Sequence, residues 1–391
     1  MISGFKKEIT EKIFGFWGHI HVTDANARYS LLEAVPMDRD SQFTAVVAGL
    51  GQIEYESNVR ILGREFENWQ VSRRTRGGIR HIQAFALKPG IIQTRSQIEG
   101  IILKGVGQDF DWSFLKKYLV EGRVFQPGDS IAAHQILISQ QTATRLNIGT
   151  GDKFIVHFVT GGEQLRRRFE VSGIFRTGLE EYDKKFALVD LAAVQDLLGW
   201  GSGQVGGFEI FVDDLSDLQV LTEFLYYQIL PAKYYAETIQ EKFPPIFEWL
   251  NLQNLNEVVI LVLMLVVAII NMITTLLILI LERTNMIGIL KALGDSNWGI
   301  RKIFLHYAAY IILLGLLFGN LLGIGLCLLQ KHFSLIRLSE ADYYLSVAPV
   351  NLDPWTILLL NAGTLAITLV FLVVPSYLIS RISPVRAIRF K

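Results

Sequence analysis

His19 and His21 stand two apart in Gly18-His-Ile-His-Val. On a strand such residues share a face, and that is how a metal pair could begin. Metal sites usually draw on three or four ligands, and no third candidate lies nearby, so the two read as ordinary exposed strand histidines. Gly149, Gly151 and Lys153 in Asn147-Ile-Gly-Thr-Gly-Asp-Lys have the residue types of a phosphate loop. The pattern GxxxxGK followed by Ser or Thr is not met, because Phe154 occupies the place of the hydroxyl residue. HExxH, GxSxG and paired-acid arrangements do not stand out. The chain therefore reads as a non-enzyme, with no nucleotide site or cofactor of its own.

A third candidate is mechanical. The stretch ERTNMIGILKALG covers residues 282–294. Met286, Ile287, Ile289, Leu290 and Leu293 recur at roughly helical spacing, Lys291 lies in the last turn, and Gly294 can end the helix. On spacing alone it is an amphipathic helix on a membrane surface. It sits between runs without charge: residues 258–281, 303–329 and 355–379 contain no Asp, Glu, Lys or Arg, and each is long enough to cross a bilayer core of about 30 Å.

Charge counting orients these spans. The 282–302 loop carries Arg283, Lys291, Arg301 and Lys302, and the tail carries Arg381, Arg386, Arg389 and Lys391. The 330–354 loop has only Lys331 and Arg337, beside Glu340, Asp342 and Asp353. By the positive-inside rule the 282–302 loop and the C-terminus are cytoplasmic, and everything before Val258 lies outside. Equal totals of 37 Lys+Arg and 37 Asp+Glu give no polyanion-binding surface, so nucleic acid is not expected as a partner. Cys327 is the single cysteine, which excludes a disulfide framework within the chain.

The segment ERTxxIGILKALG, followed by a short polar step and a new span, resembles the coupling segment of FtsX-like ABC transporter permeases. The resemblance implies that Glu282, Arg283, Ile287, Gly288, Ile289, Leu290, Lys291, Ala292, Leu293 and Gly294 dock on a separate ATPase subunit, which binds ATP and Mg. Gly288 and Leu290 are expected among the docking residues. The order EGRxF, ILIS, LxxGDxxxVxF, VSGIFRTGLEEYDKKFALVDL and GWGSGQVGGFEIFVDD narrows the resemblance to lipoprotein-releasing permeases of the LolC/LolE type. SGFKKEI near the N-terminus is similar to the junction after that family's first span. Four spans are implied and three are read here, so a membrane helix upstream of Met1 is expected to be missing from the chain as given.

The expected fold class is an α+β membrane protein: a mixed β-rich extracytoplasmic domain with helical stalks, plus three transmembrane helices. Residues 1–16 form a first stalk, 17–235 a periplasmic domain resembling the MacB-like core, and 236–257 a second stalk interrupted by Pro244-Pro245. Transmembrane helices cover 258–281, 303–329 and 355–379, separated by a cytoplasmic coupling segment (282–302) and a periplasmic loop (330–354), with a cytoplasmic tail at 380–391. Within the domain, a helix is expected near 40–50 with Asp38 or Asp40 as its cap, and strands at 78–87, 91–96 and 99–106 broken by Gly and Pro. Residues 160–168 should form a hairpin tip. Glu163, Leu165, Arg166, Arg167 and Arg168 there stand where some family members carry the hook for a soluble lipoprotein carrier, and where an ordinary solvated hairpin would also carry arginines. Residues 177–183 read as an acidic loop.

In the second span, Gly315, Gly319 and Gly323 fall on one face and suit close helix contact, within the subunit or between subunits. Asn271, His306, Asn320 and Asn361 should face other helices or the interface rather than lipid. The resemblance implies a bacterial inner-membrane permease that works with an ABC ATPase and a second permease protomer, identical or different. It further implies that lipoproteins leave the membrane lipid for a periplasmic carrier. Two readings stand beside it: a MacB-like mechanotransmission exporter of drugs or peptides, and an FtsX-type scaffold controlling cell-wall hydrolases.

Overall fold

Alternating apolar and polar residues in the first part of the chain form strands β1 (Ile20–Asp24), β2 (Met37–Asp38), β3 (Glu54–Ile61), β4 (Arg64–Arg74), β5 (Ile79–Gln93), β6 (Ile98–Val106) and β7 (Leu119–Gly122). They continue as β8 (Gln135–Ser139), β9 (Lys153–Thr160), β10 (Glu163–Phe175), β11 (Phe186–Asp190), β12 (Gln204–Val205), β13 (Gly207–Val212) and β14 (Tyr234–Thr238). The computed structural model describes residues 2–27, 35–61, 64–93, 97–129, 131–160, 163–339 and 343–381. They fall into two units: one of Glu8–Phe247 with Leu338–Ser346, the other of Met1–Lys7, Glu248–Arg337 and Val347–Lys391.

In the first unit the main sheet runs β14-β1-β13-β5-β6-β11-β8-β10-β7, with β9 pairing both β10 and β5. The strands β5, β6, β11, β8, β10 and β9 therefore close on themselves. Phe154, Val156 and Phe158 of β9 are buried inside, alternating with outward Ile155 and Val159. Pro89 and Gly90 do not separate two strands as expected; β5 runs through them. A side chain at Gly90 would come within 2.6 Å of the Phe158 ring. The Pro-Gly step thus lets one long strand pass close to β9 and pair with it.

Local capping follows residue type. Asp40 caps Ser41–Ala48 by accepting from Gln42 N, Asp190 caps Leu191–Leu198 from Ala192 N, and Thr238 and Glu241 form a capping box. The helix Ile2–Trp17 buries Ile9, Ile13, Phe14, Phe16 and Trp17, and Gly18, at φ +77°, stops it. Residues 236–238 belong to β14, and Pro244, rather than interrupting a stalk, starts a helix that continues to Glu282. The region 213–229 is divided into the turn Leu215–Asp217, the helix Leu218–Phe224 and the π-helical turn Leu225–Ile229.

The histidines depart from expectation. β1 lies between β14 and β13 and all five of its residues are buried, so His21 is buried, and so is His19 just before it. Among the described residues no group of three or more His, Cys, Asp or Glu could hold a metal. His19 Nδ1 accepts from Val212 N at 2.8 Å. His21 Nε2 donates to Trp17 O at 2.8 Å. Beside it, Lys104 Nζ donates to Phe16 O at 2.5 Å and pairs with Glu209 Oε1 at 2.7 Å. Glu209 Oε2 accepts from Gln83 Nε2 at 2.7 Å. Burial alone would raise the Glu209 carboxyl, but the Lys104 charge and the His21 contact outweigh it and hold it below the usual range. The last turn of Ile2–Trp17 is therefore held through its carbonyls by side chains of β6 and β1.

The expected acidic loop runs into the helix Glu180–Lys185, and its Asp183 turns inward while Glu181 stays exposed. Asp183 is buried and accepts from Thr177 N and Gly178 N at 3.1 Å each and from Thr177 Oγ1 at 2.6 Å. Burial raises its carboxyl in spite of these bonds and of Lys12.

Two outcomes follow for purified protein in detergent. Lys104→Met leaves the Glu209 charge buried without its partner and should cost about 3–5 kcal/mol. Lys104→Met with Glu209→Gln should cost clearly less, as chemical denaturation would measure. His19 is lowered to about 4, by burial first and Arg80 second. The unfolded chain then binds the proton more readily, so stability is full above about pH 6.5 and falls as pH drops towards 4, by about 3 kcal/mol for this group. A scan of melting temperature between pH 7 and 4.5 should show this slope flattened in His19→Gln.

Candidate functional site

The second unit holds helices long and apolar enough to cross a membrane: Pro244–Glu282, Asn297–Phe333 and Pro354–Ser380. Between the first two lies the short helix Thr284–Ala292. Arg283, at φ −97° and ψ 16°, breaks it from the preceding helix. Gly294, at φ +94°, ends it, and Ser296 opens the next helix by accepting from Gly299 N at 3.0 Å.

This short helix has two distinct faces. Ile287 is fully buried in a cluster with Leu276, Ile280, Ile300, Phe304 and Ile379, and Leu290 packs against the same cluster. Gly288 is also buried. Lys291 points the same way: its Nζ donates to Ile379 O at 2.7 Å. Burial first, and Arg301 second, lower its ammonium. Outward lie Glu282, Arg283, Ala292 and Gly294, with an apolar ridge of Met286, Ile289 and Leu293, which are 37%, 47% and 80% exposed. Ile287, Gly288, Leu290 and Lys291, all expected among the docking residues, therefore face the chain's own core, because the helix is pinned by residues near 379 that are distant in sequence. The tail positions Pro384, Arg386 and Arg389 lie outside the described residues.

The hairpin differs from its expected shape. Glu163–Phe175 is strand throughout, with Glu163 opposite Thr160 and Arg168 opposite Ile155, so residues 163–168 of the expected tip belong to the strand; residues 161–162 lie outside the described residues. Long apolar partners on β9 extend the pairing outwards. Cross-strand register puts Gln164, Arg166 and Arg168 on the face that carries Val159, His157 and Ile155. Arg167 points to the other face and pairs with Asp196. Leu165 is 36% exposed on that same face. The hairpin belongs to one unit and the 282–294 stretch to the other.

In the spans, Asn320 Nδ2 donates to Asn361 Oδ1 at 2.8 Å, and Asn361 Nδ2 returns a bond at 3.3 Å. Asn271, expected to face another helix, is exposed. Gly315, Gly319 and Gly323 have nothing within 4 Å of an added Cβ. Contact within the chain runs instead along Phe304, Ala308, Ile312 and Leu316 of the same helix. Sequence reasoning missed the partners of Lys291 and the Lys104–Glu209–His21 cluster. Only the place of Lys291 in a last turn signalled a role for it.

Residues 258–384 match the family described as FtsX-like permease C-terminal. Over 363 residues, 87% of this chain and 86% of the relative, the sequence is 22% identical to a protein of Xylella fastidiosa named lipoprotein-releasing system transmembrane protein LolC. Over 272 residues, 65% of this chain and 64% of the relative, it is 25% identical to a Haemophilus influenzae protein named lipoprotein-releasing system transmembrane protein LolE. Among solved structures, the periplasmic region of MacB from Actinobacillus actinomycetemcomitans is 14% identical, covers 59% of this chain and 93% of its own, and has a TM-score of 0.36. Residues 258–384 thus carry an FtsX-like permease C-terminal domain, and the chain as a whole is similar to proteins named LolC and LolE.

Proposed function

We propose that this permease is the inner-membrane subunit of an ABC transporter that releases lipoproteins from the membrane, driven by ATP hydrolysed on a separate subunit. The observation that carries this reading is the two-faced helix Thr284–Ala292: one side is locked into the membrane unit, and the other offers Met286, Ile289 and Leu293 to a partner. An apolar ridge on a polar loop is the kind of surface that a partner's groove covers. The substrate class rests on the similarity to lipoprotein-releasing proteins over most of the chain.

Energetics agree with this assignment. A lipid anchor is held by about 0.8 kcal/mol per buried methylene, so withdrawing several acyl chains needs an outside source of free energy. The ATPase closes, the docked helix moves, and the spans loosen the anchor's surroundings. A second permease protomer completes the membrane part, the domain built on β1 to β14 lies in the periplasm, and the C-terminus is cytoplasmic. Arg166 and Arg168, with Ile155 and Val159, form the hairpin face offered to a soluble lipoprotein carrier.

Leu293→Asp and Ile289→Asp place a charge in the docking ridge and should reduce co-purification of the ATPase by about tenfold or more, roughly 1.4 kcal/mol of binding. Normal co-purification of both variants would exclude the docking role. Depletion of the protein should leave outer-membrane lipoproteins in the inner-membrane fraction; normal sorting would exclude lipoprotein release. The two faces should also differ in stability: Ile287→Ala should cost about 2–5 kcal/mol, and Leu293→Ala no more than about 0.5 kcal/mol, by thermal or denaturant unfolding.

A further inference from the structure

We infer that Lys291 and Arg301 are positioning residues that lock the short helix Thr284–Ala292 to the end of the last span. Any displacement of the docking ridge then passes directly to the helices Asn297–Phe333 and Pro354–Ser376. This deepens the docking reading above and rests on it.

The geometry is convergent. Lys291 shares the inward face with Ile287 and Gly288, and its Nζ donates to the Ile379 and Ser380 carbonyls at 2.7 and 3.4 Å. Those carbonyls belong to the helical turn Leu378–Arg381 at the end of the last span. Arg301, in the first turns of Asn297–Phe333, donates to Ser380 Oγ, and its guanidinium lies 4.1 Å from the centroid of the Tyr377 ring. Two cations from two different helices thus meet residues 377–380, one on main-chain oxygens at a helix end and one on a hydroxyl and a π-face. Beneath them Ile287, Ile300 and Ile379 share one apolar cluster. A lysine serving as a surface contact would extend its stem and keep its ammonium in water; this one is turned inward and bonded to main chain.

The separation of roles is experimentally accessible in the complex of this chain with its ATPase, reconstituted in nanodiscs. The readouts are co-purification of the ATPase and stimulation of ATP hydrolysis by a triacylated lipopeptide. Lys291→Met should keep the ATPase bound to within about twofold while stimulation falls by about tenfold, and Lys291→Arg, which can still donate to the carbonyls, should restore it. Arg301→Gln should fall on the same side as Lys291→Met. Wild-type stimulation in Lys291→Met would overturn the inference. Loss of the ATPase in that variant would also overturn it, since the residue would then be a docking contact.

Should Lys291→Met fail to accumulate, Lys291→Cys with Ser380→Cys in a Cys327→Ser background supplies the test. Joining the two thiols with a short bifunctional reagent should recover stimulation that the unjoined pair lacks, and a joined protein as uncoupled as the unjoined one counts against the lock. Failure of the docking reading itself would appear separately, as normal ATPase binding by Leu293→Asp.

Discussion

A helix that ends inside a packed unit leaves carbonyl oxygens that water cannot reach, and each such group must find a donor or cost free energy. Both units meet this constraint with a lysine from a distant element. In the domain, Lys104 reaches Phe16 O across 88 positions of sequence, and His21 takes Trp17 O. In the membrane unit, Lys291 reaches Ile379 O, also 88 positions away. Each lysine does more than satisfy an acceptor, since it fixes where a helix end lies relative to the elements around it. The two sites differ in their supporting charge. Lys104 is fully buried and balanced by Glu209, whereas Lys291 is partly exposed and shares its surroundings with a second cation, Arg301.

What was legible in the sequence follows from range. The apolar runs at 258–281, 303–329 and 355–379 announced the helices because a bilayer imposes length and composition directly on the chain. Asp40 announced its helix because capping is decided within three residues. The strand order was not legible, nor was the closure of β5 onto β9, since pairing partners far apart in sequence leave no local mark. The histidines were misread for the same reason. His19 and His21 look like surface residues on a short polar strand, and elements brought over them by the fold bury them, Phe85 of β5 and Trp17 against His21, Phe211 of β13 and Phe14 against His19.

The 282–294 stretch holds the helix Thr284–Ala292 between two long apolar helices, but its inward side could not be chosen from spacing. Met286, Ile289 and Leu293 are as apolar as Ile287 and Leu290, and a helix apolar nearly all round has no single preferred buried face. The choice is made by Ile379 and Ser380, which lie beyond two spans. This leaves a physical consequence. The ridge that stays exposed is apolar without being needed for the chain's own packing, and its exposure has no stabilising role in the isolated chain.

Packing between the spans obeys a different balance, because lipid is as apolar as leucine and burying aliphatic side chains there gives little net drive. The Asn320–Asn361 pair supplies what leucine contacts cannot, a fixed point between Asn297–Phe333 and Pro354–Ser376, with each amide both donating and accepting. Such bonds are worth about 0.6–2 kcal/mol in membranes, which is modest, but they are directional. A sliding helix pair would break both at once. At the other end of the same two helices, Arg301 on Tyr377 and Ser380 provides a second fixed point. Two polar fixings along one helix pair remove both sliding and rolling, so a push on the short helix bolted to their ends near Arg301 and Tyr377 moves the pair together rather than shearing one helix along the other.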